Sequence, residues 1–143
     1  MISKQDFRVG ILTLPFIFGL LGGCGQYVFK EGEKQNLLIT IRSKDTPMET
    51  VITNITRVVE DALAEVEGVE IIGSINKKGE STVILFFDKK HDIDAALEDV
   101  RKRVTLLVGL LPEKTGTPNI SGKKWVDGQF IWMEDIWIEE DAP

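Results

Sequence analysis

The stretch from Thr46 to Gly68, TPMETVITNITRVVEDALAEVEG, constrains the chain most tightly. Its apolar residues fall at Val51, Ile52, Ile55, Val58, Val59, Ala62, Leu63 and Val66. That spacing draws one apolar stripe along a helix of 3.6-residue period, and such a stripe needs a sheet or a second helix to cover it. Thr46 is placed to accept from a free first-turn amide, Pro47 suits the first helical position, and Glu49 completes the pattern of a capping box. Gly68 can take the left-handed conformation that ends a helix.

The rest of the folded part supplies the cover. Leu37–Ile41 and Val69–Ile75 read as strands, and Asn76-Lys77-Lys78-Gly79 carries hairpin-turn chemistry with Gly79 free to adopt positive φ. Thr82–Phe87 is almost unbroken apolar sequence, which predicts a central strand. Asp92 can cap a second helix running from Ile93 to about Leu111, with its stripe at Ile93, Ala96, Leu97, Val100, Val104, Leu107, Val108 and Leu111, and Pro112 ends it. The order strand, helix, strand, strand, helix predicts an α+β, two-layer sandwich of ferredoxin-like type. That fold closes with a fourth strand, and the candidate is Gln129–Ile138.

Upstream, residues 9–29 carry no charge and follow Lys4 and Arg8. Three readings stay open: a membrane-spanning helix with residues 1–8 in the cytoplasm, a lipoprotein signal, or a buried core helix. In the lipoprotein reading Leu21-Gly22-Gly23 precedes a lipidated Cys24. The core-helix reading suits the composition least, because Gly10, Pro15, Gly19, Gly22, Gly23 and Gly25 make a poor helix in water. In the first two readings the domain after the charged linker 30–36 lies outside the cytoplasm. The division is then 37–112 as the folded domain and 113–143 as an acidic, tryptophan-rich tail.

Composition narrows the chemistry. A net charge of −6 argues against a nucleic-acid partner. One cysteine and one histidine exclude an internal disulfide and multi-cysteine or multi-histidine metal sites. The densest polar cluster, Asp88 to Asp94 with Lys89, Lys90 and His91, is read as a strand-to-helix turn with dipole-facing carboxylates. Glu60, Asp61, Glu65, Glu67 and Glu70 read as a solvated acidic edge. No Ser-His-Asp, Cys-His or zinc spacing is present, so no catalytic residue, metal site or cofactor is expected. All three tryptophans fall near the C-terminus. Trp125, Phe130, Trp132 and Trp137 are therefore the candidate contact surface, for a hydrophobic small molecule or a partner subunit, with an edge strand whose aromatics cover the sheet as the alternative.

The stretch from Asp45 to Glu113 resembles the first periplasmic porter subdomain of resistance-nodulation-division (RND) efflux permeases. The matching residues are Glu60, Ala62, Leu63 and the Glu67-Gly68-Val69 turn, then Gly79-Glu80-Ser81-Thr82-Val83, Phe87 and Asp92-Ile93-Asp94. Ala95, Ala96, Leu97, Val100 and Arg101 follow, and Leu111-Pro112-Glu113 closes the match. Where that family carries a Pro-Gly-Ala stretch, this chain reads Arg42-Ser43-Lys44-Asp45-Thr46-Pro47. The resemblance implies an upstream transmembrane helix at 9–29 in a bacterial inner membrane, a domain in the periplasm, and a non-enzymatic part in a substrate path or subunit contact. Other transporter segments would be its partners. The proton-relay residues of such permeases belong to later helices, so the expectation is an excerpt, a truncated product or a stand-alone relative. A periplasmic lipoprotein with a small α+β ligand- or protein-binding domain is the alternative.

Overall fold

The computed structural model describes residues 8–9 and 34–138. Of the expected span or signal, 9–29, only Val9 is described, and with Arg8 it forms a sheet strand; residues 10–29, Cys24 within them, and residues 139–143 of the acidic tail lie outside the described residues. Among the described residues, no helix is long and apolar enough to cross a membrane.

The described strands are β1 (Arg8–Val9), β2 (Gln35–Arg42), β3 (Val69–Lys77), β4 (Glu80–Phe87), β5 (Asn119–Val126), β6 (Gln129–Trp132) and β7 (Ile136–Trp137). They form one sheet in the order β1-β3-β4-β2-β5-β6, with β7 also on β5, and every pairing is antiparallel. The protein is α+β: the helices α1 (Met48–Val51), α2 (Arg57–Leu63) and α3 (Ile93–Val108) lie against one face of this sheet. The core between the layers joins Leu37, Ile39 and Ile41 of β2 and Val83, Leu85 and Phe87 of β4 to Ile55, Val59, Leu63, Val100 and Val104 of the helices. The central place of Thr82–Phe87 is as expected, since β4 runs between β2 and β3.

Four local differences from the sequence reading have physical causes. First, the capping box does not form. Pro47 is the N-cap, with ψ 147, and no side chain caps the helix. The Thr46 hydroxyl instead meets that of Ser43 at 2.7 Å. Second, α1 and α2 are joined by a π-helical stretch, Ile52–Thr56. The wider turn lets Val51, Ile55, Val59 and Leu63, each four residues apart, all reach full burial. It also points Thr56 inward, where its hydroxyl bonds Asn76 Oδ1 and lies 2.6 Å from Ser81 Oγ. Third, the strand beside β2 is Asn119–Val126, not Gln129–Ile138. The latter pairs one strand further out, as β6 and β7 on β5. Fourth, β2 begins at Gln35, so Gln35 and Asn36 of the expected linker are sheet residues.

The turns behave as read. Gly68 and Gly79 have φ of 89 and 76, and the Asp92 side chain accepts from the Ala95 amide that opens α3. The helix ends at Val108, a turn before Pro112.

Candidate functional site

Residue register divides the sheet into two faces. Leu37 pairs with Gly122 and Ile39 with Ile120, which places Ile120 and Gly122 toward the helices. Asn119, Ser121, Lys123 and Trp125 alternate with them onto the opposite face. Lys123 pairs with Trp132, Trp125 with Phe130, and Asn119 with Trp137. All four aromatic residues singled out from the sequence therefore share the face opposite the helices, together with Leu38, Ile84 and Phe86 of the inner strands, of which Ile84 and Phe86 are buried.

A tight hairpin holds this arrangement. Asp127 and Gly128, the two loop residues between β5 and β6, both have positive φ, 46 and 86. Asp-Gly suits such a two-residue turn, which fixes cross-strand register without slippage. Trp125 and Phe130 then meet edge to face, ring centroids 4.8 Å apart. Lys89, in the β4–α3 turn, sets its ammonium 4.2 Å from the centre of the Trp125 ring and 5.7 Å from that of Phe130. Lys123 sits likewise over Trp132, at 4.5 Å. These are cation–π distances. The aromatics differ in access: Trp125 and Phe130 are half-buried, while Trp132 is 69% and Trp137 52% exposed. Trp137 stands apart from the other three, beside a groove lined by Arg42, Gly116 and Thr117.

Gln35 anchors the cluster from below. It is almost fully buried, and its side-chain amide donates to the carbonyls of Asp88 at 2.9 Å and His91 at 3.0 Å. Its Oε1 accepts from the Trp125 amide at 2.9 Å. One side chain thus ties the turn that carries Lys89 to the strand that carries Trp125. Neither Lys89 nor Lys123 was apparent as part of a site from sequence. The available signal was Asp127-Gly128, which sets Lys123 opposite Trp132 once read as a hairpin.

The Asp88–Asp94 cluster is the turn expected. Asp88 accepts from the Lys90 amide at 2.8 Å, Asp92 caps α3, and the His91 ring stacks on Phe87 at 5.3 Å. In the acidic edge, Glu65 lies 3.8 Å from Arg103 and Glu70 pairs with Lys34. Among the described residues, no group of three or more His, Cys, Asp or Glu side chains is arranged to hold a metal.

Residues 41–137 match the model of the AcrB/AcrD/AcrF family. That span runs from the end of β2 to the end of β7, and the chain belongs to this family of RND efflux permeases. One relative is the multidrug resistance protein MdtC of Serratia proteamaculans (strain 568), 35% identical over 71 residues. The match covers 50% of this chain and 7% of that relative.

Proposed function

We propose that this chain supplies the first periplasmic porter subdomain of an RND-type efflux transporter and is non-catalytic. The β5–β7 edge of its sheet would contribute to a substrate path or a subunit contact through Trp125, Phe130, Trp132 and Trp137. The observation that carries this reading is the coincidence of the family match, 41–137, with the packed α+β unit. The strand order β3-β4-β2-β5, with helices after β2 and after β4, supports the ferredoxin-like split β-α-β arrangement. Residues 10–29 would hold the domain at the inner membrane, with 30–34 as the link to β2; Arg8 and Val9, which pair with β3 as strand β1, stay with the domain.

Fractionation tests the reading. The full chain, expressed in a Gram-negative host, is expected to pellet with inner membranes and resist alkaline carbonate extraction. Recovery in the cytosolic supernatant would sink it. Labelling with a palmitate analogue separates the two anchors: no label is expected, and label lost on Cys24→Ser would replace the span by a lipid anchor.

A further inference from the structure

We propose that the cation–aromatic patch formed by Lys89, Trp125, Phe130, Lys123 and Trp132 binds a small aromatic monoanion, a planar ring bearing one carboxylate or sulfonate. The proposal rests on reading this aromatic sheet edge as a contact surface, and it adds which chemistry that surface takes.

Two half-buried lysines present their ammonium groups on one face of one hairpin. Trp125 and Lys123 are two residues apart on β5, so the two cation–aromatic rows repeat at about 7 Å along the strand. Six other basic residues, Lys34, Arg42, Lys77, Arg101, Arg103 and Lys124, have a carboxylate within ion-pair distance. Among the described residues Lys89 and Lys123 have none, a property shared with Lys44, Arg57, Lys78, Lys90, Lys102 and Lys114, and they differ in that each rests on an aromatic ring. This happens in a chain with 23 acidic residues against 17 basic ones, where carboxylates are plentiful. Each ammonium group of the patch is held on a ring and not by a carboxylate, which suits an anion. A cation–π contact neutralises no charge, so an incoming carboxylate meets ammonium groups that have no competing counter-ion to displace.

The apolar part of the ligand follows from Trp132. Its indole is 69% exposed at the edge of the sheet, next to the half-buried Trp125–Phe130 pair. A planar ring laid on that surface removes apolar area from water while its charged group meets the lysines. A cationic ring would be repelled by both ammoniums. A long acidic protein segment fits less well, because Trp125, Phe130 and Trp132 offer stacking area suited to one ring.

Titration of the full chain with 2-naphthoate, in nonionic-detergent micelles with empty micelles as blank, tests this through tryptophan fluorescence. Saturable quenching is expected with naphthoate, and at least tenfold weaker binding with 2-naphthylmethanol or 2-naphthylmethylammonium. Lys123→Gln is expected to weaken naphthoate binding at least tenfold at an unchanged unfolding midpoint, and Lys123→Arg to restore it. Equal binding of all three probes would overturn the proposal, as would naphthoate binding indifferent to Lys123→Gln and Lys89→Gln together. Binding only to vesicles containing phosphatidylglycerol, with no response to naphthoate, would overturn it in favour of a lipid surface. None of these results depends on where the chain fractionates, so failure here leaves the membrane reading standing.

Discussion

Gly68 lies directly against the imidazole of His91: a Cβ built on Gly68 would meet three atoms of that ring closer than 3.0 Å. The glycine also holds φ at 89, the turn that ends the first helical body and starts β3. His91 in turn stacks on Phe87, the last residue of β4. The helix exit is therefore fitted to the far end of the hairpin it precedes.

This contact makes Gly68→Ala costly for two separable reasons. The left-handed backbone costs about 1–2 kcal/mol for a residue with Cβ, and the overpacked contact about 1–3 kcal/mol more. Urea denaturation of the full chain should show a combined loss of about 2–5 kcal/mol. On a His91→Ala background only the backbone part should remain. An identical loss on both backgrounds would mean that the imidazole contact contributes nothing.

Gln35 gives the second prediction. Gln35→Leu leaves the Trp125 amide and the carbonyls of Asp88 and His91 without this partner. Losing buried partners of this kind costs about 2–4 kcal/mol. Gln35→Glu keeps an acceptor for Trp125 but has no N–H to donate, so it should not rescue. Hydrogen exchange provides the local check: the Trp125 amide should lose protection in both variants before the β3–β4 amides do.

The third concerns the π-helical stretch. Thr56→Val removes the hydroxyl that meets Asn76 and Ser81 in a fully buried setting. The expected loss is about 1–3 kcal/mol, with Thr56→Ser close to the parent. A midpoint unchanged in Thr56→Val, with a fall in Thr56→Ser, would assign the effect to the methyl group and not to the hydrogen bonds.

A fourth follows from Gly122, which sits on β5 opposite Leu37. A Cβ there would meet the Asn36 carbonyl oxygen closer than 3.0 Å, and backbone cannot swing aside as a side chain can. Gly122→Ala should separate β2 from β5 at a cost of about 1–3 kcal/mol. Because Trp125 rides on β5, its emission should shift to the red as the strand moves. Unchanged emission and stability would show that β2 and β5 accommodate the methyl without parting.

What the sequence made legible follows its periodicity. The two helical bodies, the β3–β4 hairpin and the Asp92 cap all announce themselves through stripes and turn residues. β5 does not, because NISGKKWV offers only Ile120 to the core cluster and carries a glycine in mid-strand. Such a glycine normally argues against a strand interior. Here it is what permits the close approach to β2. The π-helical stretch was equally hidden, since its cause is a threonine drawn toward residues 20 and 25 positions away. The aromatic residues of the site were legible as a composition, but their lysine partners depend on hairpin register and on a turn from another part of the chain.

The placement of this domain on the far side of the inner membrane is the central claim, and paired fusions at the C-terminus test it most directly. The full chain carrying alkaline phosphatase should be enzymatically active in a Gram-negative host, while the same chain carrying green fluorescent protein should stay dark. A fluorescent, phosphatase-inactive pair would place the sheet and its aromatic face in the cytoplasm and contradict the account.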